Sequence, residues 1–289
     1  MDYATVVIVE ILYAISVLSL ISAGLAVIFG MMRVINLAHG EFLMLGSYTA
    51  ITATNKLGVN IYISMLILAP IVVMVWGLIV ERCIVRFLYG RLINTMLATW
   101  GLSLAMMGGF VMIFGNTPTG ISAPIAGFTL GAYQINGYNL FIIMIAAVMM
   151  AALYAVMKTT RAGLVARAAM QRADMAQAFG YNTDQVYMLT FMAGSALAGL
   201  AGGILTPIYG ALPTGGAQYI SKAFITVITG GASVISGTLA SSGILGLVYQ
   251  AVTFLTTSVV GEIALLVAAV VLLRLLPTGI TGRYLKNRV

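Results

Sequence analysis

The chain has 289 residues, 61% hydrophobic and 7% charged, with a mean hydropathy of +1.07. A soluble domain of this length cannot hide that much apolar surface, so the composition points to a polytopic helical membrane protein. The formal net charge of +7 is not a nucleic-acid signal, because the basic residues cluster in short loops beside apolar spans rather than on a basic face with interleaved aromatics.

The seven acids are scattered, and the chain holds one cysteine, Cys83, and one histidine, His39. One cysteine forms no internal disulfide, and one Cys with one His cannot build a zinc site of several nitrogen and sulfur ligands. A phosphate-binding loop needs Gly-Lys-Ser/Thr. Lys56, Lys158, Lys222 and Lys286 follow Asn, Met, Ser and Leu instead, so any ATP-derived energy must come from a partner. The first charges are Asp2 and Glu10. No basic region precedes the first apolar run, which is therefore expected to stay as a helix rather than be cleaved as a signal peptide. No long polar stretch offers room for a soluble domain, so a single membrane domain is expected over 1–289.

In chain order, apolar spans fall at 5–29, 41–55, 62–80, 92–114, 138–157, 186–206, 220–250 (one long span or two short ones) and 259–276. The expected fold is all-α, with about eight transmembrane spans. A helix needs about 20 apolar residues to cross the bilayer core, so 41–55 is short. Between it and the first span lies Phe29-Gly30-Met31-Met32-Arg33-Val34-Ile35-Asn36-Leu37-Ala38-His39-Gly40-Glu41-Phe42. Arg33, His39 and Glu41 are costly at membrane depth unless paired or facing a water-filled path. Arg33 and Glu41 are of opposite sign and can compensate each other, and Gly30 and Gly40 bracket the segment where a helix can break. Two readings stand: a wet loop between two helices, or a discontinuous helix whose broken middle lines a substrate path. On the second, Asn36, His39, Gly40 and Glu41 belong to the translocation path.

Arg82, Arg86 and Arg91 mark one cytoplasmic loop, and Lys158, Arg161, Arg167 and Arg172 another. Arg274, Arg283, Lys286 and Arg288 place the C-terminus inside. The connections 115–137 and 207–218 are then outside, and 219–276 crosses an odd number of times. The Ala-rich interval 158–184 favours a short cytoplasmic helix, with Gly180 stopping it and Thr183 or Asp184 capping the next span. It either sets topology only or docks a cytosolic partner. In span 186–206, Gly194, Ala198 and Gly202 form one row of small residues and Ser195, Gly199 and Gly203 an adjacent one, which lets another helix approach closely. Glu262 reads as an interfacial anchor near a span end.

The segments Gly24-Leu25-Ala26 to Phe29-Gly30, Val34 to Phe42, and Met44-Leu45-Gly46-Ser47-Tyr48 resemble the signature of one family: the membrane permease of the ABC importers that take up branched-chain amino acids or urea. Ala176, Gly180 and Val186 resemble the spacing of that family's coupling helix, with Arg167, Arg172 and Asp174 as its charged flanks. Ala223-Phe224, Gly230-Gly231, Gly237 and Gly243 resemble its Gly-rich stretch, with Ala232-Ser233 and Ser236-Gly237 departing from the usual pattern. Leu276-Pro277-Thr278-Gly279-Ile280-Thr281-Gly282-Arg283 matches its C-terminal pattern. The run Leu88-Tyr89-Gly90-Arg91 with Ala98 to Leu104 looks more like the urea-type branch. The resemblance implies a multi-pass subunit of the bacterial inner membrane without a cofactor of its own. ATP and Mg would sit on two cytosolic ATPase subunits. An extracytoplasmic solute-binding protein and a second permease, homologous or identical, would complete the assembly, which moves a small polar solute by alternating access.

Two rival classes are open to the residues. A passive channel would need a pore complete within this chain's own oligomer and no docking helix, and 158–184 speaks against it. An intramembrane hydrolase is suggested only by Gly101-Leu102-Ser103 with His39 as base, a spacing common by chance.

Overall fold

A computed structural model describes residues 2–130, 133–231 and 233–285. It is helical almost throughout: α1 (Asp2–Met32), α2 (His39–Asn55), α3 (Ile61–Ile63), α4 (Ala69–Cys83), α5 (Leu92–Phe114), α6 (Gly137–Thr159), α7 (Arg161–Gln171), α8 (Ala173–Ala178), α9 (Thr183–Tyr209), α10 (Gly216–Gly230), α11 (Val234–Leu255), α12 (Ser258–Leu275) and α13 (Ile280–Leu285). Among the described residues, seven helices are long and apolar enough to cross a membrane. Against the about eight spans expected, seven are found; the expected span 41–55 is the shorter α2. The stretch 220–250 resolves into two helices, α10 and α11, separated at Gly231 with φ +85°. Of the C-terminal basic residues, Lys286 and Arg288 lie outside the described residues.

One span carries a defect with a local cause. α3 and α4 are joined by a π-helical turn, Ser64–Leu68, into one continuous helix from Ile61 to Cys83. Pro70 at the start of α4 has no N–H to donate four residues back and crowds the carbonyl there. A widened turn accommodates it.

The connection 115–137 contains a small hairpin not read from the sequence. In it β1 (Phe128–Leu130) pairs antiparallel with β2 (Tyr133–Ile135), with Phe128 opposite Ile135.

The chain divides into two compact units, one of Met1–Ser22, Ala123–Ala151 and Lys222–Val289, the other of Ala23–Ser122 and Ala152–Ser221. In the first, a Cβ on Gly246 of α11 would lie 2.9 Å from the α1 backbone at Ile15, so the two helices pack backbone to backbone. The turn after α10 is closed by the C-terminal motif. Thr281 Oγ1 donates to the Gly230 carbonyl at 2.7 Å and accepts from the Ser233 amide at 3.2 Å. The two segments that resemble the family, Gly-rich and C-terminal, therefore meet in one clasp. Glu262, expected as an interfacial anchor, pairs with Lys222 at 2.6 Å.

The second unit is organised around α9. A Cβ on Gly202 would overlap the Leu43 carbonyl oxygen of α2, and one on Gly194 would lie 2.7 Å from the Gly24 carbonyl oxygen of α1. The adjacent row also reaches α4 and the π-helical turn. Gly199 would meet the Ala69 carbonyl oxygen at 2.7 Å, and Gly203 the Met65 carbonyl oxygen at 3.0 Å. Two rows of small residues thus admit three neighbours at backbone distance, which dispersion and polar backbone contacts reward where no hydrophobic drive separates helix from lipid. Tyr48 of α2 stacks on Phe114 of α5 with ring centroids 4.1 Å apart.

Candidate functional site

The helix break lies at 33–38. α1 runs through Gly30 to Met32, and the chain leaves it at Arg33, which adopts φ +51° while its amide still donates to the Phe29 carbonyl at 2.9 Å. Gly30 therefore does not bracket the break, because it is inside α1, and Gly40 is inside the first turn of α2. Arg33 is exposed and makes no ion pair with Glu41 among the described residues. The expected charge compensation is absent among the described residues: Arg33 lies at the surface while Glu41 is buried.

The freed backbone groups are satisfied from two sides. Asn36 Oδ1 accepts from the Ala38 amide at 3.1 Å, and the Asn36 carbonyl accepts from the His39 amide at 3.3 Å, so Asn36 folds the chain into α2. From α5, Thr99 Oγ1 accepts the Leu37 amide at 3.1 Å and lies 3.2 Å from the Ile35 carbonyl and 2.8 Å from the Thr95 carbonyl, to either of which its one proton can be given. One turn further along α5, Ser103 Oγ donates to Glu41 Oε1 at 3.3 Å. Ser103 thus serves the acid and not His39, which removes the geometric basis of the hydrolase reading.

Asn36, His39, Gly40 and Glu41 are all buried, Asn36 and His39 fully and Glu41 to 1% exposure. His39 lies against Gly24, where a Cβ would come within 3.0 Å of its Cε1. A Cβ on Gly40 would overlap the Gly216 carbonyl oxygen, and one on Gly216 would overlap the Glu41 carboxylate. Glu41 therefore stands in the first turn of its own helix and against the first residue of α10, two helix starts whose partial positive charge suits a carboxylate. Glu41 Oε2 and Asn36 Nδ2 are buried without a hydrogen-bond partner. One acceptor and one amide donor are thus offered within one break of the backbone. The contributions of Thr99, Ser103 and Gly216 were not assigned from the sequence. The signal that could have found the first two is their spacing of one helical turn on an otherwise apolar span.

The interval 158–184 forms two helices rather than one. Arg172, with φ −148°, ends α7 and starts α8. The kink overrides good helix propensity because it turns Gly163, Ala166 and Ala169 of α7 and Ala176 of α8 inward together. Gly180, at φ +84°, stops α8, with the Tyr181 amide bonded to the Ala176 carbonyl at 3.1 Å. The cap of α9 is Asn182, whose side chain accepts from the Gln185 amide at 3.2 Å, and not Thr183 or Asp184. Thr183 is buried and within 2.6 Å of Gln177 Nε2, so its hydroxyl is already engaged.

Arg167 is half-buried and its guanidinium donates to the Met157 carbonyl at the end of α6. Arg172 and Asp174 are exposed, and so are Leu164, Met175 and Phe179, the last at 82%. The surface of this segment is thus apolar as well as charged, a feature the sequence reading did not single out. Beside it, the Tyr89 hydroxyl donates to Glu81 at 2.5 Å. Burial first, then this hydrogen bond, hold the phenol well above its usual range.

A family model described as branched-chain amino acid transport system, permease component, matches residues 7–276. Among curated relatives, the high-affinity branched-chain amino acid transport system permease protein LivH of Salmonella typhimurium is 28% identical over 284 residues, covering 93% of this chain and 92% of that one. The corresponding BraD of Pseudomonas aeruginosa is 28% identical with the same coverage. A probable branched-chain amino acid transport permease protein LivH of Methanocaldococcus jannaschii is 27% identical, covering 92% and 89%. Among solved structures, PsaBC from Streptococcus pneumoniae in complex with Fab shares the fold, with a TM-score of 0.52 at 11% identity over 97% of this chain and 94% of that one.

Proposed function

Because the chain belongs to the family of branched-chain amino acid transport permease components, we propose that it is the membrane subunit of an ATP-driven importer that moves a branched-chain amino acid by alternating access. It is a multi-pass membrane protein, and its relatives are named as transport permeases rather than enzymes. The observation that supports a transport role most directly is the buried break at 33–38, with Asn36 Nδ2 and Glu41 Oε2 unpartnered beside two helix starts. Lipid cannot satisfy such groups. A solute with an ammonium and a carboxylate can engage an acid and an amide donor as it passes.

On this reading α7 and α8 dock a cytosolic ATPase subunit, one of two in the assembly, which carry ATP and Mg. Met175 and Phe179 supply the apolar contact and Arg172 and Asp174 the charged rim. A solute-binding protein delivers substrate on the extracytoplasmic side of the inner membrane, and a second permease, a copy or a homologue, completes the pathway. The C-terminus is cytoplasmic.

The test is radiolabelled uptake by the complete assembly in vesicles, with leucine and urea in separate arms and the ATPase rate measured alongside. Leucine enters and urea does not. Asn36→Leu and Glu41→Leu abolish uptake while the complex still assembles and hydrolyses ATP. Uptake within about twofold of wild type in both variants rejects the pathway role, since even one ordinary hydrogen bond is worth more.

A further inference from the structure

A groove of about 590 Å³ opens beside the docking segment, between the end of α1, the end of α6, the start of α7 and the start of α9. Its walls are apolar: Val27 and Met31 from α1, Leu153 and Met157 from α6, Leu189 and Ala193 from α9. Thr190 also lines it, but its hydroxyl is spent on the Val186 carbonyl at 2.7 Å. The exceptions are Arg161, the first residue of α7, and Tyr181, just before α9. Both belong to the polar connection and both are exposed. Arg161 stands outside the two ion pairs of the described residues. From Val186 to Ala193 the α9 wall extends about 10 Å at 1.5 Å per residue. The groove therefore runs from the Arg161 guanidinium on the polar connection to an apolar end, with Leu189 59% exposed along it.

We propose that this groove seats one acyl chain of an anionic phospholipid, with the lipid phosphate on Arg161. The polarity gradient matches a lipid standing in its own leaflet, head at the surface and tail inward. Beyond Arg161 and Tyr181, a small polar solute would find no free polar side chain along the walls, since the Thr190 hydroxyl is spent on the Val186 carbonyl. Arg is the side chain suited to a phosphate, which it binds through paired donors, and basic pockets between spanning helices on the cytoplasmic side collect anionic head groups. Lys158, three residues before Arg161 in the sequence, adds to the field that draws such a lipid. The inference rests on the cytoplasmic placement of this loop and is independent of the transported solute. An occupied groove braces α7 where it meets α6, at the base of the docking surface.

The test uses the purified assembly with its partner subunits in phosphatidylcholine nanodiscs carrying a trace of spin-labelled phosphatidylglycerol or spin-labelled phosphatidylcholine. The wild type immobilises phosphatidylglycerol in preference to phosphatidylcholine. Arg161→Gln lowers that preference about tenfold, the loss of one charge-assisted contact, and Ala193→Phe lowers it by filling the apolar end. Arg91→Gln, on the other cytoplasmic loop, keeps it. A preference unchanged by Arg161→Gln overturns the proposal. So does a photo-crosslinking residue in place of Leu189 that couples to a protein subunit instead of lipid, which would make the groove a subunit interface.

Discussion

Replacing Thr99 by Val tests the helix break with little change of volume. The substitution removes the acceptor of the Leu37 amide, held at 3.1 Å, and a donor within 3.2 Å of the Ile35 carbonyl. Thr99 is fully buried, so water does not replace it. The loss of the acceptor dominates, because the hydroxyl proton is shared with the Thr95 carbonyl, 2.8 Å away, and the Ile35 carbonyl has a weaker claim on it. One buried N–H left unsatisfied costs about 1–3 kcal/mol, which depopulates the formed break by about 5- to 150-fold. Leucine uptake by the reconstituted assembly falls by a factor in that range, while the ATPase rate and the yield of complex change little. Thr99→Ser, which restores the hydroxyl and lacks only a methyl, keeps most of the uptake. Two results refute the reasoning: uptake within about twofold of wild type in Thr99→Val, or equal loss in Thr99→Ser, which would assign the effect to packing instead.

The glycines of the bundle divide by what surrounds them. Gly202→Ala places a methyl on the Leu43 carbonyl oxygen, a contact no rotamer relieves, and the yield of folded protein on size-exclusion chromatography falls sharply; Gly101→Ala, with nothing within 4 Å, keeps or slightly raises thermal stability, by up to about 1 kcal/mol. On the docking segment, Phe179→Asp and Arg172→Glu each reduce co-purification of the ATPase subunits several-fold without loss of membrane insertion, and normal co-purification in the double variant counts against docking there. Arg167→Glu acts differently. It loses the bond to Met157 and lowers the stability of the subunit itself, which a melting curve of the isolated chain reads.

Much of the fold was legible because hydropathy is a direct record of what the bilayer requires. The spans at 92–114 and 138–157 coincide with α5 and α6 to within two residues, since each is bounded by charge or by Gly and Pro. The break was legible as a place, from the shortness of 41–55 and its polar neighbours, but its mechanics were not. Gly30 invited a break that occurs three residues later at Arg33, because tertiary contacts from Thr99 decide where the backbone can leave the helix. That partner lies 62 residues away in sequence, and Gly216, which meets Gly40, is farther still. Such pairings leave no local periodicity to read. Asn182 is a local case: it caps α9 while Thr183 is committed to Gln177 six residues back.

The clasp of Thr281 on Gly230 and Ser233 has a consequence for biogenesis. Its unit is assembled from the first, middle and last parts of the chain. At about 5–20 residues per second, Lys222 leaves the ribosome roughly 10–40 s after Ser22. The unit that contains the helix break is complete in sequence by Ser221, whereas the α10–α11 turn waits for the final helix. A nascent chain arrested after Leu275 therefore presents an inserted bundle with one unsealed turn, its Gly230 carbonyl and Ser233 amide without Thr281.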